Sequence, residues 1–481
     1  MALQIYDSLT NEKEEFKPEK ANQVNMYTCG VTVYDECHIG HARSLYTFEV
    51  MRRYLKYRGF NVNFVRNITD VDDKIIDKAH QWAGRDKISL SDAFDRVRKY
   101  YIDDYCKDLK LLELPRADFE PLATENISQM QEYIQKLIKR GLAYEKDGNV
   151  YFSVRKFPSY GRLSGKKIDD LLTSVRIEND PLKADPLDFA LWKKAKEEEP
   201  YWESPWGKGR PGWHIECSVM SQRFLKTDTL DIHGGGRDLI FPHHENERAQ
   251  SEGATGKIFA NFWIHHGLLT IAGQKMSKSL GNFVTIKDFI KKYKGADLLK
   301  LFFLSAHYAH PIDFNEEKIE EIKKAYERIE ILLGKLEKTY GGKDITKVIS
   351  GGAGEGGMLH FKQQFEKNMD DDFNMPKALA VLFDMVSRSN KLLESDEKYK
   401  DWMLRDAFEK IKEIANIFAL NFLKEKSVKL SDEEIKEKIA LRLKYKKEKN
   451  FKAADSIRND LHKLGVIIED NKDGNTTWRI I

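Results

Sequence analysis

The chain has 481 residues, of which 41% are hydrophobic and 33% charged, with 80 Lys plus Arg against 77 Asp plus Glu. That length exceeds one ordinary core and implies about three domains, no apolar run reaches bilayer-spanning length, and a net charge of +3 rules out nucleic-acid binding by overall charge, leaving only local basic clusters. Cys29, Cys37, Cys106 and Cys217 are too few and too scattered for a disulfide framework, and the acidic opening MALQIYDSLTNEKEEF has neither a signal core nor a transit pattern, so reduced thiols and a cytoplasmic location are expected.

Along the chain, Val24 to Val33 alternates, is rich in β-formers and runs directly into Cys37-His38-Ile39-Gly40-His41. Leu45, Phe48, Met51 and Leu55 follow at helical spacing, Gly59 stops that helix, and Asn61 to Ile68 reads as a second strand. A βαβ unit predicts parallel strands with a right-handed crossover, and ligands beyond their carboxyl ends, where His38 falls. From about Phe119 to Pro205 helical pattern mixes with short strand-like pieces such as GNVYFSV, which reads as an insertion, and Gly212 to Phe283 is where the sheet is expected to resume. Beyond Asn315 the chain is strongly helical. SGGAGEGG, from Ser350 to Gly357, lacks the GK[ST] ending of a phosphate loop and sits between helices, so it reads as a linker. Further helix covers about Met358 to Phe422, and Ser431 to Ile481 closes on strand-like VIIED and TTWRII. No internal repeat is present. The fold class is α/β: a Rossmann-like parallel-sheet domain split by an insertion, then a helical bundle and a small C-terminal α+β module.

His38 and His41 are three apart at the start of a helix and therefore on one face, where unpaired N–H groups and the positive dipole end favour a phosphate chain. Gly40 between them lets a nucleotide approach the backbone. Alone, a four-residue match favours two surface histidines beside a tight turn, so a second motif is needed. Lys275-Met276-Ser277-Lys278-Ser279, between Gly273 and Gly281, is expected on a mobile loop, and its two ammonium groups suit a departing pyrophosphate. Alone, it is equally a solvated basic turn. Together and in this order the two resemble the HIGH and KMSKS signatures of class I aminoacyl-tRNA synthetases.

Longer strings narrow the resemblance to the cysteinyl-tRNA synthetase family: NITDVDDKII from Asn67, RPGWHIECS from Arg210, DIHGGG and DLIFPHHENE, KMSKSLGNF, DFALWK and DDDFNMP. Met375 stands where that family usually has Thr, and Ile264 where Met is common. The resemblance implies activation of L-cysteine with ATP to cysteinyl-adenylate, then transfer to the 3′ end of tRNA(Cys). Partners would be ATP with Mg²⁺, L-cysteine and tRNA(Cys), with no membrane role and a monomeric chain. Positioning and charge stabilisation would fall to His38, His41, Lys275 and Lys278. ATP would meet His38, Gly40, His41, Asp238, Lys275 and Lys278, and the amino acid Cys29, Gly30, Thr69, Trp213 and His243. The implied domains are a first catalytic half at 1–118, a connective insertion at 119–205, a second catalytic half with the KMSKS loop at 206–310, a stem at 311–357, a helical bundle at 358–428 and an anticodon-binding module at 429–481.

Cys29 ends the first strand, Cys217 lies in the second half, and His243 and Glu247 are four apart, hence on one helical face if HHENE is helical. These four can form a tetrahedral zinc site, although cysteines in such chains are otherwise small buried apolar residues. The resemblance implies that they are the ligands of one Zn²⁺, with His244 a neighbour and Cys37 and Cys106 outside the set. Zinc bonds a thiolate strongly and a hydroxyl poorly, so the metal would select the substrate side chain. The short insertion agrees with having no editing domain. Near the C-terminus Arg442, Lys444, Lys446, Lys447, Lys449, Lys452 and Arg458 form a basic run, which is often only a solvated helix face. With Phe451 to stack on a base and Asp455 and Asp470 to accept from base edges, the run suits a splayed anticodon, and the resemblance adds Trp478 and Arg479. Two rivals are an enzyme of the same descent that joins cysteine to an amino sugar, against which the terminal basic module argues, and an RNA-binding protein with structural zinc only, against which the intact signatures argue.

Overall fold

The computed structural model describes residues 2–168, 180–276, 281–341, 358–423, 430–464, 466–470 and 476–480. The run from Ser350 to Gly357 read as a linker lies outside them, as does Lys278. The chain divides into two compact units, Met1–Asn421 and Phe422–Ile481.

A four-stranded parallel sheet organises the first unit, in the order Ala260–His266, Leu230–Gly236, Gln23–Thr28, Asn61–Arg66. Its strands are buried on both faces, as in a covered parallel sheet, and bury polar side chains such as Asn25, Asp231 and His233 along with the apolar ones. The expected βαβ unit is present: the helix Ile39–Tyr57 connects Gln23–Thr28 to Asn61–Arg66 and buries Leu45, Phe48, Met51 and Leu55. Each such side chain contributes about 1.5–3 kcal/mol on leaving water. Both strands end earlier than their periodicity suggests, at Thr28 and Arg66. From Gln23–Thr28 the chain first moves one way, to Asn61–Arg66, and later returns on the other side as Leu230–Gly236. The order therefore reverses between the two central strands, which opens a crevice at their carboxyl ends.

Between the halves, the helix Ile127–Lys139 is followed by an antiparallel sheet of Ala143–Lys146, Asn149–Phe152, Phe189–Lys194 and Gly209–Pro211. The strand-like GNVYFSV and DFALWK strings supply its two inner strands. Leu269–Ile271 pairs antiparallel with Gln274–Lys275 and parallel with Ile312–Phe314. Downstream, Asn315 caps the long helix Glu316–Tyr340, and Leu359–Met369, Met375–Leu393 and Lys400–Ile417 form a helical layer. The DDDFNMP string is an architectural knot. Asp370 accepts from Tyr54 and Arg58, Asp371 pairs with Lys13, and Asp372 accepts from the Tyr6 amide and from Tyr308. The N-terminal hairpin Gln4–Asp7 with Glu12–Glu15 is thereby tied down. No helix among the described residues is long and apolar enough to cross a membrane.

The second unit packs the helices Asp432–Lys447 and Phe451–Lys463 on the hairpin Val466–Asp470 with Thr476–Ile480. Its small core is Ile435, Ile439, Leu461, Val466 and Ile468.

Candidate active site

His38 is the N-cap of the helix Ile39–Tyr57, in extended conformation (φ −102°, ψ 170°). Its Nδ1 accepts from the amides of Gly40 (3.0 Å) and His41 (3.3 Å), while His41 Nδ1 accepts from the His38 amide (3.2 Å). Two imidazoles thus build the reciprocal capping box that Ser and Glu usually form, and their rings stack at 3.8 Å. Burial, with the Lys275 cation adding to it, lowers His38 to about 4; burial and then the neighbouring His38 lower His41 to about 3. Both rings are neutral near pH 7. Because each Nδ1 is an acceptor, the ring proton resides on Nε2. The helix start therefore presents two neutral N–H donors. At Gly40 a Cβ would lie 2.8 Å from the His38 ring and 2.9 Å from Met276 Cε, so the turn has no room for a side chain.

Lys275, expected on a loop, ends the strand Gln274–Lys275; its exposed Nζ lies 3.9 Å from Asp238 Oδ2. Asp238 sits in the single turn Arg237–Leu239 directly after a central strand. The segment that follows the KMSKS motif is joined to the HIGH turn by backbone: the Ile39 amide donates to Val284 O (3.1 Å) and the Ile286 amide to Cys37 O (3.0 Å). Of the KMSKS residues, Lys275 and Met276 are described.

Four candidate ligands from three separate stretches of the sequence converge in the crevice. Cys29 follows the first strand, Cys217 lies on the helix Trp213–Leu225, and Glu247 on the helix Glu245–Thr255. His243 precedes that last helix, in a wide turn over Ile240–His244 whose non-helical residue, Phe241, lies before the HHENE string. The turn still brings His243 Nε2 to 2.8 Å from Glu247 Oε1. Cys29 Sγ stands 3.7 Å from Cys217 Sγ and 3.3 Å from Glu247 Oε1, and Cys217 Sγ 3.5 Å from His243 Nε2. Burial and the neighbouring Cys217 push the Cys29 thiol well above its ordinary range. At Cys217 burial is outweighed by the Cys29 hydrogen bond and by His243, which bring it down to about 6. Glu247 is held well below the carboxylate range, since His243 and His233 overcome its burial.

A second quartet, Cys29, His233, His244 and Glu247, satisfies the same proximity. His244 Nε2 is 3.3 Å from Cys29 Sγ, and His233 Nε2 is 2.6 Å from Glu247 Oε2. His233, His214 and His265 had no role assigned from the sequence, although the first two stand inside the quoted DIHGGG and RPGWHIECS strings and the third directly follows Ile264. His214 Nδ1 lies 2.9 Å from His243 Nδ1 and His265 Nε2 2.8 Å from His244 Nδ1, so each orients the ring in front of it.

Around the quartet, Trp213 opens its helix and stacks on His243 at 4.2 Å with one face exposed. Thr69 is buried; its hydroxyl donates to Glu216 Oε2 (2.8 Å) and accepts from Asn67 Nδ2 (3.1 Å). The Gly30 amide donates to Asn67 Oδ1 (2.8 Å), and a Cβ there would fall 1.6 Å from Asn67 O. Cys37 is buried and Cys106 half-buried, and neither belongs to a metal-compatible group among the described residues.

In the second unit, Phe451 is exposed at the start of its helix and Asp455 lies one turn on, also exposed. Asp470 is engaged: Arg442 grips it bidentately (2.8 and 2.9 Å), and Lys446 (2.6 Å) and Thr476 (2.8 Å) add to the grip. Trp478 packs against the small core.

Residues 15–324 match the family described as tRNA synthetases class I (C) catalytic domain, and residues 364–423 match the DALR domain. A cysteine–tRNA ligase of Thermodesulfovibrio yellowstonii is 46% identical over 99% of both chains, and one of a Sulfurihydrogenibium species 47% identical over 100% of both. In fold, the chain is similar to Mycobacterium tuberculosis methionyl-tRNA synthetase in complex with methionyl-adenylate. The TM-score is 0.59 at 14% identity, covering 82% of this chain and 90% of that one.

Proposed function

The chain belongs to the cysteine–tRNA ligases of class I, and on that premise we propose how its residues divide the work of activating L-cysteine and charging tRNA(Cys). ATP, entering as its Mg²⁺ complex, lies along the start of the helix Ile39–Tyr57. The Nε2–H groups of His38 and His41 donate to its phosphate oxygens, and Lys275 neutralises the departing pyrophosphate, with Lys278 as its partner in the motif. Asp238 borders the nucleotide. The cysteine carboxylate attacks the α-phosphorus in line, and the terminal adenosine hydroxyl of the tRNA then attacks the acyl carbon. No protein nucleophile takes part, so the residues act by orientation and by donors aimed at developing charge.

Cys29, Cys217, His243 and Glu247 fit a zinc ion. The observation that carries this reading is the 3.7 Å between the two sulfurs, since two zinc–sulfur bonds of about 2.3 Å at a tetrahedral angle need about 3.8 Å. The two-thiolate quartet suits zinc better than the one-thiolate alternative with His233 and His244. When bound, the ion supplies a borderline-soft Lewis acid that bonds the substrate thiolate and discriminates against serine's hydroxyl. Trp213 walls the amino-acid pocket over His243, Gly30 lets the strand end approach the Asn67 backbone beside it, and Thr69 borders it from the buried side.

The implied boundaries of 1–118, 119–205, 206–310, 311–357, 358–428 and 429–481 assign adenylate chemistry to the split sheet and anticodon contact to the last module. There Lys446, Phe451 and Asp455 face the nucleic acid, while Asp470 and Trp478 shape the surface beneath them. Cobalt substitution tests the metal reading. Adding cysteine to the cobalt enzyme should produce a new thiolate-to-metal charge-transfer band that serine does not. An active cobalt enzyme with an unaltered spectrum at saturating cysteine refutes direct sulfur coordination.

A further inference from the structure

Arg43, the fifth residue of the helix that starts beside His38, is 1% exposed and ends among backbone carbonyls. Its Nη1 donates to Leu268 O (2.9 Å), and its Nη2 to Tyr308 O (3.1 Å) and to His310 O. No carboxylate joins this group among the described residues. Burial lowers the guanidinium to about 10, which leaves it charged near neutral pH. The three acceptors come from two segments that cross there. Leu268 leads into Leu269–Ile271, which turns back as the strand bearing Lys275. Tyr308 and His310 precede Ile312–Phe314, the parallel neighbour of Leu269–Ile271. The crossing is tight: the Gly267 amide donates to Tyr308 O (2.8 Å), the Ile312 amide to Leu268 O (3.0 Å), and a Cβ on Gly267 would meet the His310 carbonyl at 2.2 Å.

One rigid helix thus carries His38, His41 and Arg43, and Arg43 holds the root of the hairpin that carries Lys275. A forked, planar donor can satisfy carbonyls on two segments at once, whereas an ammonium is a point charge that cannot span them in fixed directions. We propose that Arg43 is a positioning residue for adenylate formation: it sets the separation between the two histidine donors and Lys275 so that all three meet one transition state. A misplacement of about 1 Å at such a distance can cost about a hundredfold in rate. The metal-binding residues reach the site from other segments, so cysteine binding should be indifferent to this clamp.

The inference rests on the reading that Lys275 serves pyrophosphate departure, and a double-mutant cycle separates the two. In cysteine-dependent ATP–pyrophosphate exchange with the full chain, Arg43→Lys, which keeps charge and a donor, should lower kcat at least tenfold with the cysteine KM within twofold of the parent. In a Lys275→Ala background the same substitution should lower kcat less than twofold further, because the group it places is already gone. If Lys275→Ala alone leaves kcat unchanged, the role of Lys275 is wrong and this inference falls with it. If Lys275→Ala is slow but Arg43→Lys costs the same factor in both backgrounds, only the positioning role is overturned. Arg43→Gln, which keeps an amide donor, is the second variant. A failure of both to fold, or a cysteine KM that rises in parallel with the loss of kcat, assigns Arg43 to stability alone and refutes the proposal.

Discussion

His38 performs two jobs through its two ring nitrogens, and substitution can separate them. Nδ1 caps the helix by accepting from Gly40 and His41, while Nε2–H faces the proposed phosphate site. In His38→Asn the amide oxygen occupies the place of Nδ1 and nothing replaces Nε2. Asn is among the best N-caps, so folding stability should change by less than about 0.5 kcal/mol. Losing one preorganised donor to developing charge costs about 2.7–4 kcal/mol, a fall of about a hundred- to a thousandfold in adenylate formation. His38→Gln is the converse: its longer amide can reach the Nε2 position but no longer caps, so it should lose about 1 kcal/mol of stability and retain more activity than the Asn variant. Pyrophosphate exchange and thermal melting of the three proteins decide the matter. An Asn variant with parental exchange removes Nε2–H from the chemistry, and one that loses as much stability as a helix without its cap refutes the capping geometry. The neutral state has its own test. An unfolded imidazole titrates near 6.5, whereas His38 and His41 are lowered to about 4 and about 3 in the fold. Between those values the unfolded chain binds more protons, so their contribution to stability is intact above pH 6.5. It is lost as pH falls, by about 1.4 kcal/mol per unit and per ring until the folded value is reached. A parent melting temperature that stays flat from pH 7 to 5 while both His38→Asn and parent behave alike would refute it.

Gly30→Ala places a methyl group 1.6 Å from Asn67 O, between two backbone segments that cannot both stay. The expected loss is about 3 kcal/mol by denaturant unfolding, with a raised cysteine KM, and near-parental values for both would show that the strand end yields freely. Phe451→Ala removes a 60% exposed ring that the small core of the second unit does not use. It should weaken tRNA charging by about 1–3 kcal/mol of binding while tRNA-independent cysteine activation is unchanged, and parallel loss of both activities would contradict the proposed anticodon role of Phe451.

Local chemistry was written in the sequence because its causes are local. The 3.6-residue spacing of Leu45, Phe48, Met51 and Leu55 between two apolar runs is a βαβ unit wherever it occurs, and His38 beside Gly40 marks a helix start. Long strings sufficed to identify the family; Cys217, His243 and Glu247 stand within them, and the resemblance they carry added Cys29. What the strings could not express was which atoms face which. Whether Cys29 meets Cys217 depends on the order of strands reversing between Gln23–Thr28 and Leu230–Gly236, a property of topology with no signature in either segment. Protonation followed the same rule. His38 and His41 look like cations by residue type, and only burial, with the two rings stacked on each other and His38 against the Phe283 ring, makes them neutral donors. Arg43 passes in the sequence for an ordinary surface residue of an amphipathic helix. It is the crossing of residues 267–268 with residues 308–310, brought together by a parallel strand pair, that turns it into a three-carbonyl clamp. Periodicity and short motifs report on the chain's nearest neighbours, whereas dielectric environment, hydrogen-bond partners and the meeting of distant ligands are set by contacts that exist only once the sheet has closed.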